Sequence, residues 1–82
     1  MDVRRIVGDN VRRHRLALGL SQEAVAERMG VDRAYVSGLE RGERNPTIVT
    51  LWHAALALGI ELHQLLITPP KTHSRKRSEE TS

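Results

Sequence analysis

Apolar residues recur at helical spacing along most of the chain, and glycines break the pattern between segments. Val3, Ile6, Val7, Val11 and Leu18 share one stripe, with Leu16 beside it, and predict a first helix from about Asp2 to Leu18. Gly8 lies inside it at a cost of about 1 kcal/mol relative to alanine, so fraying is expected before Asn10. Gly19 ends this helix. Ser21 is a good N-cap and Glu23 puts a negative charge in the next first turn, although Ala24 stands where a capping box needs Glu or Gln. Val25, Ala26 and Met29 give the second helix its buried face, and Gly30 stops it. Asp32 opens a third helix with Val36 and Leu39 turned inward, ended by Gly42. In the polar loop that follows, Pro46 keeps Asn45 out of the helical region. Thr47 caps a fourth helix with Ile48, Leu51, Trp52, Ala55 and Leu58 as its apolar set and Gly59 as its stop. A fifth short helix is expected from about Glu61 to Ile67, carrying Leu62, Leu65 and Leu66 behind a weak N-cap.

The second and third helices, each of about two turns and separated by roughly three residues, have the spacing of a helix-turn-helix unit. Ala26 is small where the two must cross, and Gly30 sits at the turn. Gln22, Ala26, Gly30, Val36 and Leu39 together resemble the Cro/repressor-type (XRE-like) helix-turn-helix family of bacterial and phage regulators. The resemblance runs from about Val11 to Leu66. The string DRAYVSGLERGERNPT, Asp32 to Thr47, is most similar to the controller proteins of restriction–modification systems and their chromosomal relatives. The expected fold is therefore all-α, a five-helix DNA-binding domain over residues 1–68 followed by a disordered basic and polar tail over 69–82.

Composition narrows the function classes. The chain has 82 residues, enough for one small domain. With one Trp, one Tyr and no Phe the core must be aliphatic, and pairing with a second copy would help such a core. There is no Cys, hence no disulfide framework and no thiol chemistry. No apolar run spans a membrane, and the first residues lack a signal-peptide core, so a cytoplasmic protein is expected. The net charge is +3. Residues 1–70 hold nine Arg against eight acids and no Lys, while residues 71–82 hold four basic and two acidic residues. The basic groups of the domain are thus all guanidinium forks, suited to phosphate and guanine.

The resemblance implies that the third helix, from about Arg33 to Arg41, enters the major groove with its first residues at the base edges. Arg33 is expected to read guanine through its fork. Ala34 is small enough to meet a thymine methyl, and Ser37 can donate to a base or a phosphate. Gly38 lets the helix sit close. Tyr35 reaches a base or the backbone, or packs at the domain edge. Gln22, Arg44, Asn45 and Thr47 are expected on the DNA backbone, with Arg41 as a further candidate. The family also implies a structural ion pair between Arg15 and Glu40. A homodimer on a (pseudo)palindromic operator would double the base contacts. Its expected surface is Leu62, Leu65, Leu66 and Ile67, with Trp52 and His63 at the margin.

Enzymatic activity is not expected. His14, His53, His63 and His73 lie on different elements, no HExxH spacing occurs, and no glycine loop cradles a phosphate. No metal, cofactor or small-molecule effector is expected. The alternative from another class is an antitoxin-like module that binds a protein partner and regulates its own operon.

Overall fold

The computed structural model describes residues 2–68. They form four α-helices, α1 (Val3–Ala17), α2 (Gln22–Met29), α3 (Arg33–Glu40) and α4 (Ile48–Leu58), and a closing 3-10 turn, Leu62–Leu65. No strand occurs among the described residues. The expected tail lies outside them. The expected fifth helix is replaced by that single turn. Its carbonyls are claimed from elsewhere: Asn10 Nδ2 donates to Leu65 O at 3.0 Å and to Ile67 O at 2.6 Å. Those contacts hold the chain in place where a continuing helix would have drawn its backbone away.

Local signals set the helix ends. The side chains of Asp2, Ser21 and Thr47 accept from the N–H groups of Arg4, Ala24 and Thr50. Gly30 takes φ 76°, a left-handed conformation that side chains rarely adopt, and so turns α2 toward α3. Asp32 has the extended backbone of an N-cap, but its side chain makes no capping bond.

The core is aliphatic. Val7 and Val11 from α1 meet Val25, Ala26 and Met29 from α2, Val36 and Leu39 from α3, Leu51, Ala55 and Leu58 from α4, and Leu65 from the turn. The α1 stripe is buried only in its middle. Val3 and Leu18, at the two ends, stay 57% and 52% exposed. The apolar set of α4 is likewise divided. Leu51, Ala55 and Leu58 point inward, whereas Ile48 and Trp52 face solvent together with Leu56. Arg28 of α2 donates to Ala57 O at 2.9 Å and joins α2 to the end of α4.

Gly8 is not a site of fraying. It is buried against the last turn of α3, and a Cβ there would stand 2.4 Å from Leu39 O and 2.8 Å from Glu40 O. The missing side chain lets two backbones approach, the use of glycine that its poor helix propensity conceals.

Candidate nucleic-acid interface

The outward face of α3 begins with Arg33 and Ala34, both exposed, continues through the half-buried Ser37 and ends at the exposed Arg41. These positions follow i, i+1, i+4 and i+8, one side of a helix. Val36, Gly38, Leu39 and Glu40 occupy the buried side. A short helix is thus anchored along one flank and presents a basic and polar strip along the other.

Its anchor is charged as well as apolar. Arg15 Nε donates to Glu40 Oε2 at 2.6 Å and Nη2 to Glu40 Oε1 at 3.0 Å, a bidentate pair. The side chains are only 10% and 3% exposed, and Arg15 Nη1 also donates to Leu20 O at 2.9 Å. The hydrogen bonds to Glu40 raise the guanidinium above its ordinary pKa. A buried pair of this kind adds little net stability, yet removing one member strands the other.

From Glu40 the contacts continue to the tip of α3. Gln22 Nε2 donates to Glu40 Oε1 at 3.1 Å, and Gln22 Oε1 accepts from Arg33 Nη1 at 2.9 Å. Because the carboxylate can only accept, the amide nitrogen faces Glu40 and the amide oxygen faces Arg33. Gln22, expected at the DNA backbone, therefore has both ends of its amide engaged inside the protein. Arg33 spends a single N–H on Gln22 Oε1 among the described residues and remains exposed.

The far end of α3 is arranged differently from expectation. Arg41 donates to Ser37 Oγ, and its Nη2 donates to Glu43 Oε1 at 3.0 Å. That bond holds the Glu43 carboxyl below the usual range. Arg41 is therefore committed to its neighbours. Arg44 lies with its guanidinium carbon 5.1 Å from the centre of the Tyr35 ring, within cation–π range. Its stem covers Gly38, where a Cβ would meet Arg44 Nε at 2.9 Å. The space at Gly38 is filled by the Arg44 side chain. Tyr35 takes a packing position, half-buried under Arg44. Asn45 is exposed in the loop, and the Thr47 hydroxyl is occupied as the α4 cap, accepting from Thr50 N at 3.1 Å.

Of the residues expected at a self-association surface, Leu65 is fully buried and belongs to the monomer core. Asn10 fixes its carbonyl there. Leu62 is half-buried and packs against the same core. Trp52, His63, Leu66 and Ile67 remain exposed. Trp52 shares the solvent side of α4 with three residues not expected at that surface, Ile48, Val49 and Leu56; the four are 65% (Ile48), 58% (Val49), 51% (Trp52) and 58% (Leu56) exposed. No helix of the described residues is long and apolar enough to cross a membrane, and no group of metal-ligating side chains occurs among them.

Comparison with known proteins agrees with this geometry. The helix-turn-helix family HTH_3 matches residues 11–65. An HTH-type transcriptional regulator of Sinorhizobium fredii, y4dJ, is 51% identical over 69 residues, covering 84% of this chain and 88% of the relative. Control protein C.SmaI of Serratia marcescens is 44% identical over 66 residues, covering 80% and 79%. The crystal structure of the restriction–modification controller protein C.AhdI of Aeromonas hydrophila superimposes with a TM-score of 0.73 at 45% identity, over 76% of this chain and 90% of the other. The match over residues 11–65 and these relatives show that the chain belongs to the XRE-type helix-turn-helix family and is a DNA-binding transcriptional regulator related to restriction–modification controller proteins.

Proposed function

We propose that the chain binds a (pseudo)palindromic operator as a homodimer, with α3 of each copy in the major groove. The observation that carries the reading is the strip Arg33, Ala34 and Ser37, presented on the outer side of a helix whose other side is buried and ion-paired. Arg33 reads a guanine: it stands at the first turn, and its fork suits O6 and N7. Ala34 offers a methyl contact beside it. Ser37, which accepts from Arg41, keeps its hydroxyl proton for an acceptor on the DNA. Arg44, Asn45 and the first turn of α4 flank the strip and serve as backbone contacts.

Two-fold pairing uses the exposed apolar surface of α4, namely Ile48, Trp52 and Leu56 at i, i+4 and i+8, together with Leu66 and Ile67. Exposed side chains of this size aligned along one helix face favour burial against a like surface. Selection of bound fragments from random DNA tests the whole reading. The expected result is an inverted repeat with half-sites about one helical turn apart and binding that weakens steeply with salt. A pool that stays random, or binding indifferent to salt, would defeat it.

A further inference from the structure

The first two turns of α1 lie outside the residues that the family match covers, yet they touch the end of α3. Arg5, Gly8 and Arg15 follow i, i+3 and i+10 along one side of α1. Gly8 meets Leu39 and Glu40, and Arg15 holds Glu40. Arg5 Nη1 donates to Arg41 O at 3.3 Å, and a Cβ on Gly42 would come 3.4 Å from Arg5 Cα. We propose that Arg5 is an additional DNA-phosphate contact, delivered by α1 to the C-terminal end of α3. The inference rests on the reading of α3 as the groove-binding helix.

Three observations support it. Arg5 is exposed, and the ion pairs among the described residues, Arg4–Asp2, Arg15–Glu40 and Arg41–Glu43, leave it without a carboxylate. Its bond to a main-chain carbonyl uses one of five N–H donors and leaves the charge intact. Its position supplies what the adjoining segment lacks. Glu43 offsets Arg41, so Arg44 alone gives that segment its net positive charge, and Arg5 doubles it. The neighbouring Arg4 provides the control, since it is exposed too but bonded to Asp2 at 3.2 Å.

The test compares the salt dependence of binding for the full chain and for Arg5→Ala, Arg5→Lys and Arg4→Ala, on the selected operator and on random duplex. Loss of one phosphate contact lowers the slope of log K against log salt by about 0.9. Arg5→Ala should show that drop on both DNAs with unchanged thermal unfolding. Arg5→Lys should restore the slope, and Arg4→Ala should leave it at the wild-type value. An Arg5→Ala slope equal to wild type overturns the proposal. So does a loss confined to the operator at unchanged slope, which would make Arg5 only a support for α3. Salt-insensitive binding by the wild type would instead remove the reading on which the proposal rests.

Discussion

Substituting Gly8 by alanine separates two accounts of α1 by the sign of the effect. Helix propensity alone says that alanine gains about 1 kcal/mol at this position. Packing says the opposite. The new Cβ would stand 2.4 Å from Leu39 O and 2.8 Å from Glu40 O, where ordinary contact begins at 3.4 Å. Both obstacles are main-chain atoms, so no rotamer change relieves them. The helices must part by about 1 Å, a typical overpacking cost of 1–3 kcal/mol or somewhat more. Parting them also lengthens the Arg15–Glu40 bonds, which begin at 2.6 Å and 3.0 Å. Taking the upper end for a clash of this depth and subtracting the propensity gain leaves a net loss of about 2 kcal/mol. For a domain of this size that lowers Tm by roughly 8–16 °C. Thermal unfolding followed by circular dichroism measures it directly. A Gly8→Ala protein melting at or above the wild-type temperature would refute the close-approach argument.

Other substitutions test the remaining parts. Glu40→Ala leaves Arg15 buried without its partner and should destabilise by about 3–5 kcal/mol in denaturant titration. The double variant Arg15→Met with Glu40→Leu should regain most of that stability if the loss comes from the stranded charge. Arg33→Ala should lose about 1–3 kcal/mol on the selected operator and relax discrimination at one base pair, whereas Arg44→Ala should weaken all sequences alike, as competition binding against random DNA will show. Trp52→Glu should shift sedimentation toward monomer while leaving the helical circular dichroism signal intact, since Trp52 is 51% exposed. His14 has its pKa pushed below 6.5 by burial first and then by Arg13. The unfolded chain thus binds the proton more readily, so stability from this group is fully present above pH 6.5 and declines as pH falls through the folded value. His14→Gln should flatten that part of the pH–stability curve, and curves that remain parallel would count against it.

The parts of the fold legible in the sequence were those specified locally. Ser21, Gly30, Thr47 and Gly59 define helix ends through bonds to residues a few positions away, and the α2–turn–α3 spacing follows from them. Gly8 and Asn10 depend on carbonyls that arrive from distant segments. Asn10 bonds Leu65 O across 55 positions. It did carry a signal, because a polar residue three after Val7 lies on the stripe between Val7 and Val11, where that stripe is buried. The side of α4 that faces solvent left no such signal. That helix is apolar nearly all round, and periodicity cannot tell which apolar flank meets the core. In the candidate site, Arg33, Ala34 and Ser37 were reached through the family resemblance together with their places on the third helix. The engagement of Arg41 by Ser37 and Glu43, and the folding of Arg44 over Gly38 and Tyr35, were not, since both depend on how the loop after α3 returns along it.

The contacts of Gln22 join stability and recognition in one set of atoms. Buried Glu40 fixes the Gln22 amide, and the amide oxygen fixes one N–H of Arg33 before any DNA is present. A hydrogen bond from a charged donor contributes about 1.5–3 kcal/mol net and less where water competes, as it does at exposed Arg33, whereas a good bidentate guanine contact supplies about 1–3 kcal/mol of discrimination. The bond is therefore strong enough to bias the guanidinium toward one orientation and weak enough to yield to a base. It also need not break, because Arg33 retains donors beyond the one that Gln22 uses. In the proposed complex the buried ion pair thus acts on sequence choice through orientation rather than through contact. Gln22→Ala distinguishes the two: it removes the amide that links Glu40 to Arg33 and should reduce discrimination at the Arg33 base pair, although no base contact is assigned to Gln22. Unchanged discrimination in that variant would mean that Arg33 finds its orientation from the DNA alone.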